Sequence, residues 1–431
     1  MQKKSIISET EEYLLRNNKC GGLMKITKIF SLALRNIFRN KRRTTLTFFA
    51  IISGMVALVV FGGFVHFSFW GLRESTIRSQ LGHIQIYKKG YSQEGLESRL
   101  EYLIDNFNKV EEELRKMPNI EISAPRLSFA GLISGGENTH TCLGIGGVRE
   151  KESKLATFEA LVEGEDIYGE DEAVIGSTLK KSLGVEIGNY VTLLTMTVDG
   201  SINAVDVKVV GVSQSGSREY DSVVVKLPLT TVQRLLNTNS VEKILLLLDK
   251  TEHTLTVATQ LTQIFEAKKL NLELKKWDEL ASFYRSVVRL YTGIFNVMKV
   301  IIAVIVFFSI ANTMTMSIFE RTREIGTIRA IGTRKSTTIL LFFTEGFLIG
   351  IIGGMLGIIT GIVVATVINT TGGIYVPPPP MMTQGYSALI LIVPKVVVYS
   401  YISTVLVSIV SSFYPAFRAA NLSVVEALRH S

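Results

Sequence analysis

The densest gathering of chemically capable side chains is Glu320-Arg-Thr-Arg-Glu-Ile-Gly-Thr-Ile-Arg-Ala-Ile-Gly332. Ile325, Ile328 and Ile331 recur at a spacing of three and mark one apolar side of a short helix. Glu320, Arg321, Arg323, Glu324 and Arg329 surround that side with interleaved charge of both signs. Gly326 and Gly332 remove side chains where a second backbone could approach closely. The simpler reading is a solvated loop whose arginines only set membrane topology. The mixed charge and the bracketing glycines favour a helix that docks on another protein. Docking is the chemistry here, not bond making.

Catalytic constellations are absent. No G-x-x-x-x-G-K-[ST] phosphate loop occurs, and Gly332-Thr-Arg-Lys335-Ser336 lacks the glycine before Lys335 that shapes one. Gly144-Ile-Gly146-Gly147 is a fragment of a dinucleotide fingerprint and reads better as a tight turn. His140 and Cys142 form the one close pair of metal-type residues, short of the three or four ligands that zinc needs. Glu345 is different. It is the lone charge in the apolar run Ser336–Ala365. Such a residue marks a functional site by default, and a structural partner for a nearby arginine is favoured over a proton-coupling role.

These residues need elements to position them, and hydropathy supplies those. Only 19% of the 431 residues are charged, and the mean hydropathy is +0.31. Apolar residues collect into four runs, Thr44–Phe69, Val300–Phe319, Ser336–Ala365 and Val396–Phe417. Each is long enough to cross a bilayer core as a helix of about 20 residues. A free soluble enzyme is excluded. In the third run Gly350, Gly353, Gly354, Gly357 and Gly361 line one helix side, suited to packing within the subunit or between subunits.

Basic residues orient the spans. Arg35, Arg39, Lys41, Arg42 and Arg43 precede the first, and Arg321, Arg323, Arg329, Arg334 and Lys335 separate the second from the third. Arg418 and Arg429 follow the fourth. Both termini and the middle loop are therefore expected in the cytoplasm, with residues 71–286 outside. That insert carries 25 basic and 31 acidic residues, a net of −6, so with +8 for the whole chain the remainder carries +14, mostly on cytoplasmic faces. The pI near 9.2 then reflects topology and not nucleic-acid binding. Cys20 and Cys142 fall on opposite sides and cannot pair within one chain.

The expected architecture is an α+β membrane protein. Four transmembrane helices flank a large extracytoplasmic mixed α/β domain, inserted between the first and second, with stalk helices. An amphipathic helix over Lys25–Arg43 lies on the inner leaflet. In the insert, a helical face runs from Leu100 through Leu103, Ile104, Phe107, Val110 and Leu114 to Met117. Strands are expected around Ile120–Ser123, Leu127–Leu132, His140–Ile145, Ser222–Lys226, Lys243–Leu248 and Leu272–Leu274. Tyr190–Val198 and Ala204–Val212 form a hairpin through Asp199-Gly200. Helices are expected at Ser177–Leu183, Pro228–Leu236 and Leu261–Ala267, and Trp277–Arg289 runs unbroken toward the second span as a stalk.

The Glu320–Gly332 stretch closely resembles the E-R-x-x-E-I-G-x-x-[RK]-A-[IL]-G signature of FtsX-like permeases, which belong to ABC systems of the MacB and LolC/LolE type. Leu34–Arg43 is similar to that family's approach to its first span, Leu161–Asp249 to its extracytoplasmic core, and Pro415–Ala420 through Val425–Leu428 to its C-terminal end. The resemblance implies a permease in the bacterial inner membrane that binds no nucleotide itself. It implies as partners a separate ATPase dimer that binds ATP, a second permease subunit, membrane lipids and a periplasmic or outer-membrane protein. It implies that Glu320, Arg321, Glu324, Ile325, Gly326, Arg329, Ala330 and Gly332 touch the ATPase, with Arg323 beside them. The implied divisions are a tail and amphipathic helix (1–43), spans at 44–70, 287–319, 336–366 and 395–417, the core with stalks (71–286), a coupling helix (320–335), an outer loop (367–394) and the C-terminus (418–431). Lipoprotein release or lipid transport is the favoured function, with export of peptides, antibiotics or other hydrophobic compounds, or regulation of a cell-wall hydrolase, as alternatives.

Overall fold

A computed structural model describes residues 22–39, 41–94, 99–155, 159–215, 217–377, 385–423 and 427. In chain order it has α1 (Gly22–Arg39), α2 (Lys41–Thr76), β1 (Ile84–Lys88), α3 (Phe107–Leu114), β2 (Ile120–Ser134), β3 (Thr139–Gly147) and α4 (Arg149–Leu155). Then come β4 (Ala160–Gly164), β5 (Glu172–Gly176), α5 (Ser177–Leu183), β6 (Tyr190–Met196), β7 (Ile202–Gln214), β8 (Val224–Pro228) and α6 (Leu229–Leu236). The last elements are β9 (Lys243–Leu248), α7 (Thr254–Ala267), β10 (Leu272–Lys276), α8 (Ser282–Glu320), α9 (Thr322–Ala330), α10 (Lys335–Thr370) and α11 (Pro394–Ala420). The chain divides into two units, one of residues 1–67, 291–374 and 388–431, the other of residues 68–290 and 375–387.

The first unit is helical. Among the described residues, four helices are long and apolar enough to cross a membrane: α2 with its continuation to Ser79, α8, α10 and α11. Their meeting faces bury Ile51, Val306, Ile310, Met314, Phe342, Leu348, Ile349 and Ala416. α1 ends at Arg39, earlier than the amphipathic pattern suggested, and Lys41 opens a new helix. Asn40 lies outside the described residues.

In the second unit, β10-β1-β9-β2 is an antiparallel sheet, with α3 joining β1 to β2 and α7 joining β9 to β10. This is a split βαβ arrangement. A second lobe enters between β2 and β9. There the pairings β2–β3, β3–β8, β8–β5, β5–β7, β7–β6 and β6–β2 close a ring of strands. Leu127, Phe129, Ile133, Cys142, Val191, Leu193, Val207, Val209 and Leu227 belong to its buried core. β2 serves both parts: its first half pairs with β9 and its last residues with β6. The two strands expected at Ile120–Ser123 and Leu127–Leu132 are therefore one continuous strand.

Two other expectations fail locally. The helix through Leu100–Met117 is broken, because Asn106 adopts a left-handed φ of 52° and Ile104 bridges Val241 instead. Only Phe107–Leu114 is α-helical. The stalk at Trp277 is interrupted at Ala281 (ψ 67°), and α8 starts at Ser282. Arg285 explains how the break persists, since its guanidinium donates to the carbonyls of Asp278 and Glu279.

Candidate functional site

The signature residues sit at the corner between α8 and α10. Helix α8 stops at Glu320, and Arg321 leaves helical geometry with φ −109° and ψ 9°. Thr322 ties the corner by donating its hydroxyl to the Ile318 carbonyl at 3.0 Å. Glu345 faces this corner from the third turn of α10, only 3% exposed. Its Oε1 accepts from Arg321 Nη1 at 3.1 Å and from Asn36 Nδ2 of α1 at 2.6 Å. Glu324 accepts from Arg39 Nη1 at 3.2 Å on both oxygens and pairs with Arg321 Nε at 3.4 Å. Arg43 pairs with Glu320 at 3.0 Å. Arg39, Glu324, Arg321, Glu345 and Asn36 thus form one polar network that joins α1, α9 and α10, and the Arg43–Glu320 pair joins α2 to the end of α8.

The two glycines of the signature each have a role within the chain. A Cβ on Gly326 would lie 2.6 Å from the Cβ of Ala427, so the end of this same chain fills that space. Gly332 has φ +101°. Its N–H bonds the Arg329 carbonyl at 3.0 Å and Thr333 N–H bonds the Ile328 carbonyl at 3.3 Å, which is a Schellman cap. Ile325 is buried as well. Arg329 donates to the Leu422 carbonyl, and Lys335 Nζ reaches Asn421 Oδ1 at 3.0 Å. The C-terminal motif at Val425 and Leu428 lies outside the described residues. The exposed residues here are Glu320, Arg323, Glu324, Ala330, Ile331 and Gly332. Ile331, at 44% exposure, is the apolar member of that face.

The glycines of α10 contact this chain's own helices. Gly350 and Gly354 lie against Ser408 and Tyr401 of α11, and Gly346, absent from the sequence reading, against Ser412. Gly353, Gly357 and Gly361 lie against Ile51, Met55 and Val59 of α2. On α11 the buried hydroxyls of Ser408 and Ser412 donate back to the carbonyls of Thr404 and Ser408, so both are hydrogen-bonded at the contact.

In the second unit the two ends of the insert are held together. β1 pairs with β10 from Ile84↔Lys276 to Lys88↔Leu272, and Trp277 N–H donates to the His83 carbonyl at 3.0 Å. His83 is 1% exposed. Its Nδ1 accepts from Leu248 N–H at 3.0 Å and its Nε2 meets Thr251 Oγ1 at 3.1 Å, while Thr251 donates to Glu74 at 3.3 Å. The network assigns a neutral ring protonated on Nε2. Burial lowers its pKa to about 4, against the opposing charge of Glu74.

Among the described residues no group of three or more His, Cys, Asp or Glu side chains could hold a metal. Burial pushes the Cys142 thiol up to about 12, far from a reactive thiolate. His140 is exposed and contacts the Ser182 carbonyl at 3.1 Å.

Comparison with known proteins places this arrangement. Residues 44–264 match the MacB-like periplasmic core domain, and residues 296–424 match the FtsX-like permease C-terminal family. The chain belongs to the MacB-type, FtsX-like permeases. This MacB-type permease is 23% identical over 420 residues to the macrolide export ATP-binding/permease protein MacB of Psychrobacter cryohalolentis, covering 94% of this chain and 60% of that protein. It therefore spans about 60% of the length of that relative. It is 24% identical over 330 residues to the lipoprotein-releasing system transmembrane protein LolC of Xylella fastidiosa, covering 73% and 78%. The periplasmic region of MacB from Actinobacillus actinomycetemcomitans is similar at 15% identity and a TM-score of 0.34, covering 47% of this chain and 93% of that structure. The α9 corner thus lies in the permease segment, and the ringed lobe in the core segment.

Proposed function

We propose that this permease is the transmembrane component of an ABC transporter and that α9 receives the motion of a separately encoded ATPase, which binds the ATP. The observation that carries this reading is the division of α9 into two faces. One is locked to the spans through Arg321–Glu345 and Gly326–Ala427. The other leaves Arg323, Ala330 and Ile331 open. A helix clamped on one side and open on the other passes a push to the spans instead of absorbing it. α8 supports the same reading, running as one helix from Ser282 to the α9 corner. Pairing with a second permease subunit and delivery to a periplasmic or outer-membrane protein belong to the proposal.

Among substrates, lipoprotein or lipid release is the reading we favour. A pocket of about 420 Å³ opens between α2, α8 and α11, lined by Leu58, Ile302, Val306 and Val407 and by Lys299 and Lys395. Apolar lining together with two ammonium groups suits an acyl chain with an anionic headgroup. Export of peptides or antibiotics is the alternative.

The test is co-purification with the ABC ATPase and ATP hydrolysis in proteoliposomes. Arg323→Glu and Ile331→Asp, both outward, should abolish association while the permease expresses and unfolds normally. Retention of wild-type association by both variants would remove α9 as the docking element. Release of a radiolabelled lipoprotein from spheroplasts, set against export of a labelled peptide, separates the substrate readings.

A further inference from the structure

The second unit contains a cleft of about 400 Å³. Its walls come from β2, β3, α4, β4, β5, β7 and β8, and from Ser79 at the end of the helix that continues α2. The basic groups in the wall all face acids. Arg126 holds Glu152 through two bonds, Nε–Oε1 at 2.8 Å and Nη2–Oε2 at 2.7 Å. Arg149 pairs with Asp166 at 3.4 Å and lies 3.7 Å over the Tyr168 ring. Lys226 pairs with Glu159 Oε2 at 2.5 Å.

Two acceptors in the same wall remain. The Glu159 side chain is 3% exposed, yet its Oε1 has no hydrogen-bond partner among the described residues. Ser213 is likewise 3% exposed, and its Oγ has none. A buried carboxylate oxygen and hydroxyl without donors are costly, and such groups in native proteins ask for a ligand or water. Leu161, Ile167, Val174, Leu227 and Pro228 supply apolar wall beside them. Lys226 next to Glu159 disfavours a bare divalent cation at that oxygen.

We propose that this cleft binds a small amphipathic organic ammonium compound, its N–H groups donating to Glu159 Oε1 and Ser213 Oγ and its apolar body lying on Leu161 and Val174. A volume of this size is in the range of small-molecule sites. The acids in the wall outnumber the bases, and each base already has its partner, so the missing element is a positive donor. Ser79 places the site in contact with the end of the helix that continues α2, independent of the substrate reading above.

Benzylamine, benzyl alcohol and benzoate share one apolar body and differ in charge. Isothermal titration of the full-length protein in lipid nanodiscs at neutral pH is expected to show saturable one-to-one binding of benzylamine. The alcohol and the acid should bind roughly tenfold or more weakly, the measure of a charge-assisted hydrogen bond. Glu159→Gln should weaken benzylamine by a similar factor without weakening the alcohol. Ser213→Ala removes only an unpartnered hydroxyl, so it should keep the unfolding temperature while weakening benzylamine a few-fold. It serves as the decisive variant if Glu159→Gln does not fold. Absence of saturable benzylamine binding, equal binding of all three probes, or unchanged binding by a folded variant would each overturn the site and leave a water-filled cleft.

Discussion

Arg321 meets Glu345 at 3.1 Å with 8% and 3% of the two residues exposed, so the corner before α9 is pinned to α10 by an ion pair withdrawn from solvent. Breaking one side of such a pair typically costs about 3–5 kcal/mol, because the other charge stays buried. Arg321→Ala should therefore lower the thermal unfolding midpoint in detergent sharply. Arg321→Met combined with Glu345→Leu should recover most of the loss. A single variant as stable as wild type would show that the pair does not hold the corner.

The neighbouring pair behaves differently. Arg39 and Glu324 are 36% and 43% exposed at the side chain, and an exposed pair is worth about 0–1 kcal/mol. Arg39→Ala should shift the same midpoint little. A loss as large as that of Arg321→Ala would mean that the network acts as one cooperative unit.

Gly326 and Ala427 predict a compensation. Gly326→Ala puts two methyl groups 2.6 Å apart, and overpacking of this kind costs about 1–3 kcal/mol. Ala427→Gly should restore what Gly326→Ala removes, measured as unfolding midpoint and protease resistance of the C-terminal segment. Additive losses in the double variant would separate the two positions.

Gly332 is needed for its backbone. At φ +101° a side chain costs about 1–2 kcal/mol. Gly332→Val should loosen the end of α9, seen as faster amide exchange at Gly332 and Thr333, with Gly332→Asn milder. Unchanged exchange in the valine variant would contradict the cap.

His83 carries a pH signature. Its folded pKa, about 4, lies below the ordinary histidine value of 6.5, so the unfolded chain binds the proton more tightly. The stabilisation is complete above about pH 6.5 and is lost as pH falls from there to about 4. By ~1.4 kcal/mol per pKa unit, its size is on the order of 3 kcal/mol. Unfolding followed between pH 7 and pH 4 should show that slope, and His83→Gln should flatten it. An equal slope in both proteins would assign the pH dependence to other groups.

Local physics made part of this protein legible in one dimension. Span length, charge beside the spans and the α9 motif are sums over neighbouring residues. So are Ser177–Leu183, Lys243–Leu248 and the Asp199-Gly200 hairpin, each decided by nearby side chains and turn chemistry. The failures share a cause. Leu100–Met117 has a helical pattern, but the pairing of Ile104 with distant Val241 outweighs it. The partners of Glu345 are 24 and 309 residues away, and Gly326 serves Ala427, so no spacing rule could assign them. The strand ring closes through Leu132↔Leu194, and the cleft at Glu159 exists only once strands from far along the chain stand together. Periodicity reports which face of an element is apolar. What that face meets depends on long-range packing, and the tertiary structure alone decided it.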